Sequence, residues 1–211
     1  MLADAATNAA IADAIARQGG AVFHDVFAPD LLHSLMDVAA KAPFRQVNLQ
    51  EFGLRGNDLS VPSGLPFCLA LGRPVFMRWL EQLTGCDPVM HIEGHLVQML
   101  AGNNLGWHRD AGLGIRRLAM VVNLTTEPYE GGRFELRRRS TREPMFAYHA
   151  GVLGSLAVFR LGLDLQHQVA AVTAGGPRTS FTGWARGPWV EADRARHVAL
   201  ATWPPLLPPA A

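Results

Sequence analysis

The sequence is poor in cysteine, and it has no long hydrophobic run. Two cysteines in 211 residues cannot form a disulfide framework, so we expect reduced thiols rather than a disulfide-stabilised scaffold. No apolar segment reaches the length of a membrane-spanning helix, and residues 1–20 lack the basic start of a secretory signal. The sequence therefore predicts a soluble, cytoplasmic protein that does not enter a membrane.

An excess of charge of one sign is also absent. Lys and Arg number 19 and Asp and Glu 18, which gives a formal net charge of +1. A near-neutral balance argues against wholesale nucleic-acid binding, so we expect no nucleic-acid partner. The chain is, however, 49% hydrophobic, which at this length supports one buried core without metal or disulfide staples.

The N-terminal part predicts mainly helices. Apolar residues recur at helical spacing in 3–18, 29–40 and 74–85, and the last of these begins with proline and ends with glycine. Residues 21–27 predict a short strand. Residues 43–66 mix Pro, Gly, Asn, Asp and Ser with short apolar pieces, which predicts loop and strand fragments that could act as a flap.

From residue 91 onwards the pattern changes to short strand-like runs. These runs are HIEGHLVQML, LAMVVNL, RFELRR, SLAVFRL, HQVAAVT and TSFTGWA, separated by turn-forming residues. Several short strands at even spacing predict a β-sandwich or barrel such as a jelly roll. We therefore expect one α+β domain over 1–211, with a mainly helical part over 1–90, a jelly-roll core over 91–190 and a Pro-rich tail over 203–211.

A pattern typical of metal ligands lies within the predicted core. Alternate residues of an extended segment point to the same side, so His108 and Asp110 can occupy adjacent positions on one ion. Such a pair alone arises by chance in many chains. His167, on a distant strand, would complete a triad of two histidines and one carboxylate. That triad leaves coordination positions open and is typical of non-haem Fe(II) oxygenases.

A second pattern predicts a receptor for a carboxylate group. Arg178 and Ser180 share one face of an extended strand, and a guanidinium beside a hydroxyl offers a bidentate pair and one further donor. Asn123 lies on an apolar strand, where an unpaired amide would be costly. Its partner could be the backbone or a bound co-substrate. The basic run Arg137–Arg139 predicts a solvated face, and a contact with an acidic substrate or partner is the alternative.

These segments together resemble the Fe(II)/2-oxoglutarate-dependent dioxygenases, specifically the prolyl-4-hydroxylase-like branch. MLAGNNLGWHRD resembles the motif Tyr-x-x-Gly-x-x-Leu-x-x-His-x-Asp of that branch. VVNLTTEPYEGGRFELR resembles its Leu-Asn and Gly-Gly segment, and HQVAAVTAGGPRTSFTGW its His-x-Val and Arg-x-Ser-x-Thr-Gly-Trp ending. The resemblance covers about 96–186. It implies a double-stranded β-helix, a jelly-roll or cupin-like core, with N-terminal helices packed on it.

The resemblance also implies the cofactors and the catalytic residues. His108, Asp110 and His167 would hold Fe(II), and 2-oxoglutarate and O2 would be consumed. Arg178 and Ser180 would bind the far carboxylate of 2-oxoglutarate.

Two further residues, Asn123 and Met99, would belong to the co-substrate site. Met99 stands where the family commonly has a tyrosine that donates a hydrogen bond to 2-oxoglutarate. Because a thioether cannot donate, another residue would have to replace that donor, with Gln98, Thr173 and Ser180 as candidates.

For function, the resemblance implies an enzyme that hydroxylates an unactivated C–H bond and releases succinate and CO2. The substrate would be a small molecule, an amino-acid derivative or a peptidyl, prolyl-type group. The same cofactor chemistry with desaturation, cyclisation or demethylation stays open, as does a non-catalytic jelly-roll binding module. Residues 43–66 and 111–117 are the predicted lid and rim, because loops carry specificity. A homodimer is compatible with the sequence, although no motif predicts one.

Overall fold

The computed structural model describes residues 5–49, 52–58, 61–86, 88–110 and 116–188. The helices of this part of the chain are α1 (Ala5–Gln18), α2 (Pro29–Ala40), α3 (Val61–Leu71) and α4 (Pro74–Thr84). Proline at the first position suits a helix start, and Gly85 ends α4 in the left-handed conformation with φ of +61°. None of the described helices is long and apolar enough to cross a membrane.

The strands follow the chain in two groups. Three precede residue 60: β1 (Gly20–Phe23), β2 (Arg45–Asn48) and β3 (Leu54–Asp58). The others are β4 (His91–Met99), β5 (Leu105–His108), β6 (Arg116–Asn123), β7 (Tyr129–Gly131), β8 (Phe134–Arg138), β9 (Pro144–Tyr148), β10 (Leu156–Arg160), β11 (Leu165–Val169), β12 (Val172–Gly175) and β13 (Arg178–Arg186).

Among the described residues these strands form two larger sheets and a ribbon. The major sheet has the order β1-β10-β6-β13-β4-β3-β2, the minor sheet β5-β11-β8-β9, and β12 pairs with β7. Val121 and Trp184 of the major sheet pack with Phe134 and Leu136 of the minor sheet, so the two sheets face each other. Two facing antiparallel sheets of this kind form the predicted jelly roll, and the fold prediction is confirmed.

The helices cover the outer face of the major sheet. Phe67 of α3 is fully buried and stacks on Phe181 of β13, with ring centroids 4.8 Å apart. Because successive strand residues point to opposite faces, Phe181 meets the helices while its neighbours Ser180 and Thr182 point between the sheets. The helical layer therefore supports the strand that carries the predicted carboxylate receptor.

The strands of the N-terminal part lie where a short strand and strand fragments were predicted, whereas the helix α3 was not predicted. β1 pairs with β10, and β3 pairs with β4, so two separate segments of this part extend the major sheet. The predicted flap over 43–66 contains β2, β3 and the start of α3. The division into parts stays a prediction. Residues 111–115 of the predicted rim and the Pro-rich tail over 203–211 lie outside the described residues.

Candidate functional site

A cavity of about 280 Å³ lies between the two sheets. Its wall is mostly apolar, with Val97, Val121 and Phe134 among the side chains that line it. Polar side chains converge on it from both sheets: Arg55, His108, Arg109, Asp110, His167, Arg178, Ser180 and Thr182. An apolar cavity with a few convergent polar groups is the usual form of a small-molecule site.

The three predicted metal ligands come together at this cavity. His108 ends β5, and His167 of β11 is its direct cross-strand partner, so pairing in the minor sheet sets the two imidazoles side by side. Asp110 follows two residues after His108. Its carboxylate oxygens lie 3.7 Å from His108 Nε2 and 3.4 Å from His167 Nε2. One donor atom from each residue can be chosen so that all three lie within 4.8 Å of one another.

Neighbouring groups orient two of these donors. His108 Nδ1 lies 2.7 Å from the Gly106 carbonyl oxygen. Because a carbonyl only accepts, Nδ1 carries the proton there and Nε2 keeps its lone pair for a cation. Trp184 Nε1 donates to Asp110 Oδ2 at 2.7 Å, which fixes the rotation of the carboxylate.

The protonation states of Asp110 and His108 also suit a cation. Burial raises the pKa of Asp110, but hydrogen bonding and attraction from His167, the charge of His108 and the Trp184 hydrogen bond outweigh burial, so the pKa lies below its usual value. Burial and the neighbouring His167 lower the pKa of His108 to about 4. A carboxylate and neutral imidazoles are the forms that bind metals, and this donor set fits Fe(II).

The predicted carboxylate receptor lies on the facing sheet. Arg178 and Ser180 are 2% exposed, and in the register of β13 they stand opposite Met99 and Val97 of β4. Arg178 Nη1 lies 3.6 Å from Met99 Sδ. Arg178 Nε and Ser180 Oγ are buried and have no hydrogen-bond partner among the described residues. A buried guanidinium without a carboxylate is costly, so this arrangement suits an anionic ligand.

Asn123 of β6 stands opposite Ser180 of β13, and of the two partners predicted for its amide the backbone is the one observed. Its place in the co-substrate site stays a prediction. Its Nδ2 donates to the Val152 carbonyl at 3.0 Å, and its Oδ1 accepts from the Thr125 amide at 3.2 Å. Asn123 ends β6, so its amide is used to hold the following turn, and it is not among the residues that line the cavity. Of the candidate replacements for the missing tyrosine, only Ser180 lines the described cavity wall.

Two residues at or near the cavity were missed by the sequence reasoning. Tyr148 of β9 stands opposite Phe134 of β8, and its hydroxyl is buried without a partner in the described part of the chain. Burial raises the pKa of Tyr148 to about 12, while the charge of Arg178 acts in the opposite direction. Arg55 of β3 lines the cavity near Asp110. Arg55 lies in the segment for which only loop and strand fragments were predicted, and Tyr148 lies on a strand that the apolar pattern did not predict.

The family comparison confirms the resemblance. Residues 94–186 match the model of the 2OG-Fe(II) oxygenase superfamily. This region contains all three clustered donors and the Arg178–Ser180 receptor. No curated protein matches the chain at a significant level.

Solved structures of such oxygenases have the same fold. An oxidoreductase of the 2OG-Fe(II) oxygenase family from Burkholderia pseudomallei gives a TM-score of 0.68 at 17% identity, over 88% of this chain and 94% of that one. A Pseudomonas putida prolyl-4-hydroxylase gives 0.65 at 18% identity, over 86% and 100%. The non-haem α-ketoglutarate-dependent epimerase SnoN, from nogalamycin biosynthesis, gives 0.59 at 16% identity, over 88% and 87%. At these identities the likeness establishes the fold.

Proposed function

We propose that this chain, whose residues 94–186 match the model of the 2OG-Fe(II) oxygenase superfamily, is an oxygenase of that kind and hydroxylates an unactivated C–H bond of a small substrate. Such an enzyme is a dioxygenase that uses Fe(II), 2-oxoglutarate and O2. The observation that carries the proposal is the meeting, in one cavity, of a three-donor cation site and a buried guanidinium without a carboxylate partner in the described chain.

His108, Asp110 and His167 would hold Fe(II). Bound there, the metal with its co-substrates supplies the oxidation of a C–H bond, which no side chain can perform. The protein's own contribution is position. The Gly106 carbonyl and the Trp184 indole hold the donors in orientation, and the apolar walls around them exclude water.

The far carboxylate of 2-oxoglutarate would bind Arg178, Ser180 and Tyr148. Each contributes a buried polar atom that lacks a partner among the described residues, and one carboxylate would satisfy all three. Tyr148 lies on the opposite sheet and the charge of Arg178 acts on its hydroxyl, whereas the tyrosine common in the family corresponds to Met99. We infer that Tyr148 supplies the hydroxyl that Met99 cannot.

The cavity favours a small substrate. Its volume of about 280 Å³ lies just below the range of roughly 300–1,000 Å³ typical of small-molecule sites, and 2-oxoglutarate would take part of it. A small-molecule or amino-acid-derived substrate therefore fits better than a large one. Hydroxylation is favoured over halogenation because Asp110 occupies the third ligand position with a carboxylate rather than leaving space for a halide.

The proposal is tested by following 2-oxoglutarate and succinate by NMR in the presence of Fe(II), with and without O2. Wild type should form succinate only when O2 is present, and Asp110→Ala should lose this activity while remaining folded. Folded wild-type protein that forms no succinate contradicts the proposal. Once a substrate is found, the product mass assigns the outcome: one oxygen gained for hydroxylation, two hydrogens lost for desaturation, and no change for epimerisation.

A further inference from the structure

The cavity holds a second guanidinium that the proposed function has not yet used. Arg55 lies on β3, which pairs with β4 so that Gly56 stands opposite Gln98. By continuation of that register, Arg55 adjoins Met99 and projects from the same face of the sheet as Arg178. Its side chain lines the cavity, and its Nε is buried without a partner in the described part of the chain.

The charge of Arg55 acts at the end of the cavity that holds the three clustered donors. Burial lowers the pKa of Arg55 from its ordinary value, and attraction from Asp110 opposes this. Arg55 in turn is one of the causes that lower the pKa of the buried His95. A guanidinium stays charged in proteins, so Arg55 places a fixed, poorly hydrated cation on the cavity wall, within electrostatic reach of Asp110.

Charge balance shows that the proposed cofactors do not neutralise Arg55. The charged side chains on the described cavity wall are Arg55, Arg109, Arg178 and Asp110. The two negative charges of 2-oxoglutarate and that of Asp110 offset the charges of Fe(II) and Arg178. Arg109 is exposed and screened by water. The half-buried guanidinium of Arg55 therefore has no counter-charge in this balance, and burying a charge without a partner is costly.

We propose that Arg55 binds a carboxylate of the substrate, and that the substrate is a small carboxylic acid such as an amino acid or an amino-acid-derived acid. This inference rests on the proposed function. A guanidinium and a carboxylate form a planar, two-bond pair that fixes orientation as well as position. The Phe52 ring, 6.0 Å from that of His108, provides an apolar surface for the remainder of such a molecule.

A carboxylate fits this end of the cavity better than a phosphate. Phosphate sites are commonly built on the N-terminus of a helix, where several backbone amides point at the ligand. Within the described residues, none of the side chains lining the cavity belongs to α1, α2, α3 or α4. Arg55 offers one planar fork, which matches a single carboxylate.

The test is anaerobic, on the full chain loaded with Fe(II) and 2-oxoglutarate, and it reads the charge-transfer absorption of that complex. The probes are the standard L-amino acids, each paired with its primary amide, and inorganic phosphate. At least one acid should shift the band, and its amide should not.

Arg55→Gln should weaken binding of that acid by at least about tenfold without changing 2-oxoglutarate affinity, and Arg55→Lys should be intermediate. Arg45→Gln, an exposed arginine on neighbouring β2, is the matched control.

The outcomes separate this inference from the proposed function. If wild type forms no charge-transfer band, the proposed function fails. If the band forms, the inference is overturned by any of three results: no acid shifts the band, acids and amides bind equally, or Arg55→Gln binds the acid as wild type does. A shift caused only by phosphate also overturns it. Formation of the band by Arg55→Gln shows that this variant is folded.

Discussion

At the scale of single residues, the cavity region retains polar atoms that stability alone does not favour. Arg178 Nε, Ser180 Oγ, Tyr148 Oη and Arg55 Nε are all buried without a partner among the described residues. Leaving a buried polar group unsatisfied costs roughly 1–3 kcal/mol, and native structures contain few of them. Arg178, Ser180 and Arg55 line the cavity, and ligands that bind there would satisfy their unpartnered atoms.

Replacing Tyr148 by phenylalanine should therefore have two effects of opposite sign. Without ligands, the free energy of unfolding should rise by about 1 kcal/mol, because a buried hydroxyl without a partner is removed. The affinity for 2-oxoglutarate should fall by about five- to tenfold, because a hydrogen bond to its carboxylate is lost. Denaturant unfolding and anaerobic titration measure the two quantities.

The matched control is Tyr129→Phe. The Tyr129 hydroxyl donates to the Ala150 carbonyl at 3.1 Å, so its removal should destabilise the protein by about 1 kcal/mol. A Tyr148→Phe variant that is destabilised to the same extent, or that binds 2-oxoglutarate like wild type, would show that the hydroxyl has another partner.

His95 should make the metal-free protein sensitive to mild acid. Burial and the charges of Arg55 and Arg116 lower its pKa from 6.5 to about 4, although Asp110 and Glu93 oppose this. Between these pH values the unfolded chain binds a proton that the folded chain does not. The contribution of His95 to the free energy of unfolding is therefore fully present above pH 6.5 and is lost as the pH falls. The expected loss from this group between pH 7 and pH 5 is about 2 kcal/mol.

The measurement is denaturant unfolding of wild type and His95→Gln at both pH values. The difference in stability between pH 7 and pH 5 should be about 2 kcal/mol smaller in the variant, because glutamine does not titrate in this range. Equal pH dependence in the two proteins would mean that His95 is protonated in the folded state as readily as in the unfolded state.

At the scale of elements, the turn at Gly131 and Gly132 positions the carboxylate receptor. Gly132 has φ of +62°, and a Cβ built there would lie 2.9 Å from Arg178 Cδ. Gly132→Ala should therefore displace the guanidinium and weaken 2-oxoglutarate binding. Gly102→Ala is the control, since Gly102 has φ of +86° but no described atom within 4 Å of the added carbon.

Both glycine variants should lose about 1–2 kcal/mol of stability, because alanine is strained at positive φ. Only Gly132→Ala should bind 2-oxoglutarate more weakly, as measured by anaerobic titration. Equal binding by the two variants would show that Arg178 adjusts to the added carbon, and that the turn does not position it.

The elements that could be predicted are those whose own residues show a strong apolar pattern. The helices α2 and α4 follow from apolar periodicity with proline at the start, and β4, β6, β10 and β13 follow from strongly apolar strand-type runs. β3 contains RGND and β9 is an edge strand beginning with proline, so neither has such a signal. Their strand character depends on pairing with β4 and β8, which are distant interactions that local pattern does not encode.

The same distinction explains which site residues were found. His108, Asp110, His167 and Arg178 belong to motifs that are recognisable in one dimension. Arg55 and Tyr148 lie on the strands without a signal, and only the pairing of those strands brings them towards the cavity. For Asn123 the sequence left two partners open, the backbone and the co-substrate, and its amide bonds the backbone.

At the scale of the whole molecule, the site depends on how the two sheets pack. The clustered imidazoles of His108 and His167 belong to the minor sheet and Arg178 to the major sheet, so the apolar cluster between the sheets sets the distance between them. The helices pack behind the major sheet and hold β13 from its outer side. The sequence could predict both sheets, but the width of the space between them follows from side-chain packing across the whole core.

The most direct test of this account is an anaerobic absorption titration of metal-free protein with Fe(II) and then 2-oxoglutarate. Wild type and Arg45→Gln should develop a metal-to-ligand charge-transfer band. The band should be absent in Asp110→Ala, which lacks a metal ligand, and should require more 2-oxoglutarate in Arg178→Gln. Circular dichroism shows that each variant is folded. A folded wild-type protein that develops no band would contradict the account, because the cavity would then hold neither the metal nor its co-substrate.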